Sequence, residues 1–359
     1  MIYHSALRIS GILAVGFALT PANAAEVETI RRAVDGFIRP AYADFAAKTE
    51  AEKETVSALC AAPSKTALDA ARTGFVDMVR AWSMVETIRI GPVTEKNRHD
   101  RILYWPDRKG IGLKQVQSVL AEEDPSATDP VSLAGKSIAM QGLGALEFVL
   151  FGAGSDDLVE TAKPYRCRFG AAIAQNLASI ASDISVEWQA DDGFANQWMN
   201  PGPNNALYRN ELESANDFIA IFVQGLEMTR DVRLNGFLGA DASGDEPKQA
   251  IYWRSNATVP SLAANLDGLK RAFAASRLAA RLTSEETVYI GSSIDFEFAN
   301  AQRALAGLDQ PVADLLKDEQ GRQKLTYFRL VTSSLTDLFG SKLSGALGLS
   351  AGFSSLDGD

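Results

Sequence analysis

Apolar residues recur at three- and four-residue spacing along most of the chain, and this periodicity constrains the fold more than any other feature. The clearest example is the stretch 66–90, whose apolar side chains fall on one helical face and whose pattern stops at Gly91-Pro92. Comparable patterns predict helices over residues 27–58 (with Pro40 inside), 114–122, 131–151, 166–188, 206–236, 259–282, 285–305 and 312–347 (with a break near Gly321). Patterns typical of strands are almost absent. Helices of this length joined by polar segments pack as bundles, so the sequence predicts an all-α fold.

Polar segments rich in Gly and Pro separate these helices, and one of them is a candidate domain boundary. It spans residues 191–205 and reads "DDGFANQWMNPGPNN". Dividing the chain there gives an N-terminal half, residues 25–195, and a C-terminal half, residues 196–359. The alternative is a long surface loop inside one domain, and the sequence favours neither.

The first 24 residues have the pattern of a secretory signal peptide. Arg8 precedes an apolar run over residues 9–19, and Pro21 and Ala22-Asn23-Ala24 follow it. We therefore predict cleavage before Ala25 and a soluble, exported product. An uncleaved membrane anchor is the alternative, but the apolar run is short for a bilayer.

The remaining chain is acidic and contains a single histidine. The signal carries one of the 35 Lys and Arg residues and none of the 45 Asp and Glu residues, so the mature net charge is −11. That charge argues against nucleic acid and anionic membranes as partners. Because His4 leaves with the signal, only His99 remains, which excludes zinc motifs with two histidines. Cys60 and Cys167 form either one disulfide, as an oxidising compartment favours, or two buried thiols.

Residues 142–152, "GLGALEFVLFG", place the carboxylate of Glu147 in a run with no other charge. Burial of an unpaired carboxylate is costly, so Glu147 must be paired, protonated, bound to a cation or at a wet boundary. The helix predicted over residues 131–151 is too polar to span a membrane and is expected to be buried in the bundle. Gly144 lies about one turn before Glu147. It opens a gap for a backbone, water or a ligand, or it simply allows close helix packing.

Trp82 and Glu86 lie one turn apart on the predicted helix 66–90, on or near its buried face. If this helix packs against the helix of Glu147, the two carboxylates could face each other as a cation site or share a proton. The alternative is that each carboxylate pairs with an arginine. We favour that alternative for Glu86 and leave both open for Glu147. The arginines near in sequence are Arg80, Arg89, Arg98 and Arg101.

Two further candidate ligands lie in the segment that follows. His99, in "TEKNRHDR", is expected in a loop that could bring it to a site, or it is simply exposed. Asp107 follows Trp105-Pro106 and is either a ligand or a helix cap.

The segment "GLGALEF" resembles the G-x-H-x-x-E segment of the imelysin family, which comprises exported all-helical bacterial proteins described as iron-regulated or peptidase-like. Other stretches are similar in the same order along the chain: "AWSMVETIRIGP", "ILYWPD", "PYRCRFGAAIAQNL", "YWRSNATVPSLAANLDGL", "SIDFEFANAQRAL" and the ending "LGLSAGFSSLDGD". The resemblance implies two packed four-helix-bundle-like halves with a site between them, a periplasmic location and a docked C-terminal end.

The chain departs from that motif at one position. Gly144 stands where the family has histidine, so only Gly142 and Glu147 carry over, and a carboxylate alone is a weak site for iron or zinc. We expect a non-catalytic protein of iron acquisition that binds a metal or small ligand, partnered by iron-uptake components. Glu147, Glu86, His99 and Asp107 are its candidate ligands, and Trp82, Gly142 and Gly144 line its cleft. A metallopeptidase-like enzyme and a degenerate interaction module without metal binding are the alternatives.

Overall fold

The computed structural model describes residues 23–107, 109–160 and 164–352, and within these ranges all regular structure is helical. The all-α prediction is therefore confirmed. The α-helices are α1 Asn23–Ala33, α2 Arg39–Ala61, α3 Lys65–Val85, α4 Arg98–Ile102, α5 Ile111–Glu122, α6 Pro130–Ala134, α7 Leu143–Phe151, α8 Pro164–Gln189, α9 Phe194–Met199, α10 Glu211–Glu227, α11 Thr258–Ser276, α12 Tyr289–Leu305, α13 Val312–Leu315, α14 Glu319–Asp337 and α15 Ser344–Leu347. Three π-helical stretches extend helical segments at Val34–Ile38, Met228–Leu234 and Leu338–Leu343.

The helices pack in two groups around one continuous apolar core. In the first, α2 packs against α3 and α8, and α7 packs against α8. A disulfide between Cys60 and Cys167 joins α2 to α8. In the second group, α14 packs against α10 and α12. The groups meet where α3 contacts α11, and α1 also packs on α10 and α11, so the N-terminal helix lies on the C-terminal group.

The segment 191–205 is more structured than a polar joint. It contains α9, whose Trp198 is fully buried and packs at a tilted angle against Phe218, with the ring centroids 6.1 Å apart. The Trp198 indole N–H donates to the Ser214 carbonyl at 3.1 Å. This segment therefore contributes to the core that the two groups share.

The prediction of one helix over residues 131–151 is wrong. The segment folds as α6, a 3₁₀ turn and α7, because residue 142 passes directly against the α4 backbone: a Cβ on Gly142 would lie 2.4 Å from the Ile102 carbonyl oxygen. The side-chain amide of Gln141 takes the place of the lost helical hydrogen bonds, since it donates to the backbone carbonyls of Ala134 and Lys136 at 3.3 and 2.6 Å. Glu147 therefore lies in the second turn of a short helix instead of deep inside a long one.

Several other boundaries differ from the predictions, and two of them have a local cause. The helix predicted over 66–90 ends at Val85, since the backbone turns before Gly91. The break predicted near Gly321 falls earlier, between α13 and α14, because the Asp318 carboxylate caps α14 by accepting from the Gly321 amide at 2.8 Å.

No helix in the described ranges combines the length and the apolar composition needed to cross a bilayer. Residues 1–22 of the predicted signal peptide and residues 353–359 of the family-like ending lie outside the described residues.

Candidate functional site

Glu147 lines a cavity of about 240 Å³ at the start of α7. Its side chain is 4% exposed, whereas Gly144 on the preceding turn is exposed and has no atom within 4 Å of where a Cβ would lie. Gly144 therefore opens the helix to the cavity and is not explained by close packing. The walls carry five aromatic residues: Tyr104, Trp105, Phe148, Tyr252 and Trp253. Their charged neighbours are Asp107, Glu147, Lys248 and Arg254.

The partner of Glu147 is Ser255, which sequence reasoning missed. The Ser255 amide and hydroxyl both donate to Oε1 of Glu147, at 3.0 and 2.8 Å. Burial raises the pKa of Glu147 above its usual range, while these bonds and the charge of Arg254 act in the opposite direction. No Glu147–arginine ion pair within 4.0 Å is found in the described part of the chain. The carboxylate is thus held by neutral donors and favours its protonated form more than an exposed glutamate does.

The segment 253–255, which supplies these partners, follows a residue with a left-handed backbone conformation. Tyr252 has a φ of 58° and Asn256 a φ of 57°, a region that side-chain-bearing residues rarely adopt. This backbone brings the Ser255 amide to Glu147. Arg254 stacks over the Trp253 ring at 4.5 Å and faces Phe148 at 5.5 Å, so its charge stays at the cavity wall.

Glu86 is paired with an arginine, as the favoured alternative predicts, but not with one near in sequence. The Arg233 guanidinium, in the π-helical stretch after α10, donates to Oε1 of Glu86, and the Asn265 amide donates to Oε2 at 3.1 Å. Glu86 and Arg233 are 3% and 2% exposed. The two carboxylates Glu86 and Glu147 have separate partners, so they do not form the carboxylate pair that adjacent helices could have made.

The nearby arginines have other roles. Arg98 forms a bidentate pair with Glu187 at 2.6 Å, and Arg101 donates to the side chains of Gln141 and Asn176 at 3.1 Å. Both thus tie α4 to α8.

The Tyr252 hydroxyl is close enough to Glu86 and Glu147 for both carboxylates to affect its pKa. It is fully buried, and burial raises its pKa well above the usual range. The charges of Glu86 and Glu147 raise that pKa further, and Arg233 lowers it. Tyr252 is therefore a neutral phenol placed between two buried acids.

The other predicted site residues divide between this cavity and its surroundings. Asp107 lines the cavity, but its two oxygens accept from the amides of Ile111 and Leu113 at 2.7 and 3.2 Å, so it caps α5. His99 lies in the short helix α4 and not in the expected loop, and it lines a different cavity together with Glu86. Trp82 and Gly142 are buried and are not among the residues lining the Glu147 cavity. Trp82 packs between Phe45 and His99, at 5.3 and 5.4 Å.

The donor set does not fit a catalytic zinc, which takes three protein ligands and a water. Within the described ranges no group of three or more His, Cys, Asp or Glu side chains could hold a metal ion. Both oxygens of Asp107 are engaged by backbone amides, and Oε1 of Glu147 is engaged by Ser255. The described side chains therefore do not supply the ligand set of a hydrolytic metal centre.

Comparison with known proteins decides the family. The imelysin family model (Peptidase_M75) matches residues 38–337. The chain belongs to the imelysin family. It is 23% identical over 329 residues to iron-regulated protein A of Synechococcus elongatus, a match covering 86% of this chain and 83% of that protein. The family resemblance of the sequence is thus confirmed.

A solved structure shows the same fold. An imelysin-like protein from Psychrobacter arcticum superimposes with a TM-score of 0.76 at 22% sequence identity, covering 95% of this chain and all of that one. At this identity the likeness concerns the fold alone, so the chemistry of the site rests on the residues of this chain.

Proposed function

We propose that this imelysin-family chain is an exported, periplasmic binding protein of iron acquisition, not an enzyme, and that it takes its ligand in the Glu147 cavity. The observation that carries the proposal is the position of Glu147. A buried carboxylate with a raised pKa is fixed by Ser255 at the wall of a cavity that Gly144 leaves open. Perturbed groups in concave sites are typical of binding sites.

The cavity walls indicate what kind of ligand fits. Both bonds from Ser255 end on Oε1 of Glu147, and we assign the contact with the ligand to Oε2. Arg254 and Lys248 supply positive charge, and the aromatic residues supply flat apolar surface. Since the described side chains do not provide three metal ligands, iron would bind here as a complex with a small chelating molecule.

The name of the Synechococcus relative, iron-regulated protein A, supports the association with iron. The sequence pattern of residues 1–24 supports export. The disulfide between Cys60 and Cys167 is consistent with an oxidising compartment.

Calorimetric titration of residues 25–359 tests the proposal. The probes are ferrous sulfate, zinc chloride and ferric iron as its nitrilotriacetate complex, with nitrilotriacetate alone as the blank. We expect stoichiometric binding of the ferric complex, weakened at least ~10-fold in Glu147→Gln because a charge-assisted contact is lost.

Glu52→Gln is the matched control, because Glu52 is also a fully buried glutamate but lines neither this cavity nor that of His99. Its binding should equal that of the wild type. Absence of binding by every probe, or equal binding in Glu147→Gln, would contradict the proposal. Tight zinc binding with chelator-sensitive cleavage of an unfolded protein would instead favour the metallopeptidase alternative. An effect of Glu147→Gln on stability alone would favour the degenerate interaction module.

A further inference from the structure

A second cavity, of about 340 Å³, lies beside the first and contains His99. Its walls come from the end of α3, the segment 99–106, the end of α10 and the π-helical stretch that follows. Leu103 and Trp105 line both cavities and form the wall between them. The apolar side of the second cavity consists of Leu103, Pro106, Met228 and Val232.

Buried polar atoms without hydrogen bonds gather around this cavity. Arg233 uses Nη2 for Glu86, whereas its Nε and Nη1 have no hydrogen-bond partner within the described ranges. The same holds for Nε2 of His99 and Nε1 of Trp105. Native proteins rarely leave buried donors unpaired, and here three such side chains line one cavity.

Neighbouring protein groups do not account for all of these atoms. One N–H of Arg233 can turn toward the Tyr252 hydroxyl, whose pKa the guanidinium lowers. That leaves two of the three N–H groups on Nε and Nη1 of Arg233, together with the indole N–H of Trp105 and Nε2 of His99. Nδ1 of His99 faces the Asp100 carboxylate at 3.4 Å, so Nε2 is the ring nitrogen available to a ligand.

The walls of this cavity carry a net positive charge, which attracts an anionic ligand. Arg89 and Arg233 line the cavity against a single carboxylate, Glu86, which Arg233 already neutralises. Arg89 is exposed, so an approaching anion meets its positive charge first.

We propose that this second cavity binds a small organic acid. The carboxylate accepts hydrogen bonds from Arg233, Trp105 and an N–H at Nε2 of His99, and the hydrocarbon part lies against Leu103, Met228 and Val232. A cavity of this size exceeds what a bare inorganic anion fills and falls in the lower range of small-molecule sites. The proposal does not depend on a ligand in the Glu147 cavity.

Calorimetry of the full mature chain, in iron-free buffer, tests this with benzoate, its neutral analogue benzamide and inorganic phosphate. We expect binding of benzoate, and at least ~10-fold weaker binding of both benzamide and phosphate, since benzamide lacks the charge and phosphate lacks the apolar part. Equal affinity for benzoate and benzamide, or preference for phosphate, would overturn the assignment.

Two variants locate the site. His99→Phe keeps a ring against Trp82 but removes both ring nitrogens, and Arg89→Gln removes the exposed charge. Each should weaken benzoate binding, by at least ~10-fold for His99→Phe. Arg271→Gln is the matched control for loss of an exposed arginine charge, and it should leave benzoate binding unchanged. If Lys248→Gln weakens binding while His99→Phe does not, the acid occupies the Glu147 cavity and the proposal fails.

Discussion

Removing Arg233 alone should destabilise the protein more than removing Arg233 and Glu86 together. The two side chains are 2% and 3% exposed and bond directly to each other across the contact between the two helix groups. Arg233→Met leaves the Glu86 carboxylate buried with the Asn265 amide as its remaining described partner. Breaking a buried ion pair in this way costs about 3–5 kcal/mol of unfolding free energy. Because Asn265 still donates, we expect about 3 kcal/mol.

The double variant Glu86→Gln/Arg233→Met removes both charges and keeps the side-chain volumes similar. Its unfolding free energy should therefore return to within about 1 kcal/mol of the wild type. Urea denaturation followed by circular dichroism, with linear extrapolation to water, measures both values.

Arg98→Met is the matched control. Arg98 is as buried as Arg233, but its partner Glu187 is 43% exposed and stays solvated when the arginine is lost. The loss should therefore be smaller than in Arg233→Met. If Arg233→Met costs less than about 1 kcal/mol, or if the double variant is as unstable as the single one, the buried pair does not have the role assigned to it.

Three other outcomes follow from the structure. Gly144→His should fold, because no atom lies within 4 Å of the new Cβ. The new imidazole lies beside Glu147, so the zinc affinity measured by calorimetry should rise at least ~10-fold. An unchanged zinc affinity would refute the assigned geometry. Burial raises the pKa of Glu52 to about 8 from 4.5, so its contribution to stability is full below pH 4.5 and is lost as pH rises through 8. Between pH 4.5 and 8 the unfolding free energy of Glu52→Gln should therefore fall less steeply with pH than that of the wild type, by at most ~1.4 kcal/mol per pH unit. Urea titrations at several pH values measure this slope, and equal slopes in the two proteins would contradict the raised pKa. Reduction of the Cys60–Cys167 bond, which spans 107 residues, should lower the unfolding free energy by about 2–5 kcal/mol, and the Cys60→Ser/Cys167→Ser variant should then lose nothing on reduction.

Sequence periodicity predicted the fold well where a helix buries one continuous face. The patterns over 166–188 and 285–305 correspond to α8 and α12 within a few residues, because the same side chains that create the period fill the core. Residues 131–151 were mispredicted for the opposite reason. The helix breaks where Gly142 meets the α4 backbone, a contact between segments that no local pattern contains.

The candidate site shows the same limit. Glu147 was recognisable as a lone carboxylate in an apolar run, but its partner Ser255 lies 108 residues away, and Arg233 lies 147 residues from Glu86. The only signal for Ser255 was its position in "YWRSNATVPSLAANLDGL", a stretch similar to the family. Pairing over such separations is decided by the packing of helices, so the residue types were predictable and their partners were not.

The wall formed by Leu103 and Trp105 has a thermodynamic consequence. A side-chain shift that enlarges one cavity alters the boundary of the other. If both cavities bind ligands, any factor by which the first ligand changes the affinity for the second must equal the factor in the reverse direction. Titrating the ferric complex with and without saturating benzoate measures that coupling free energy directly, and its sign tells whether an organic acid favours retention or release of iron.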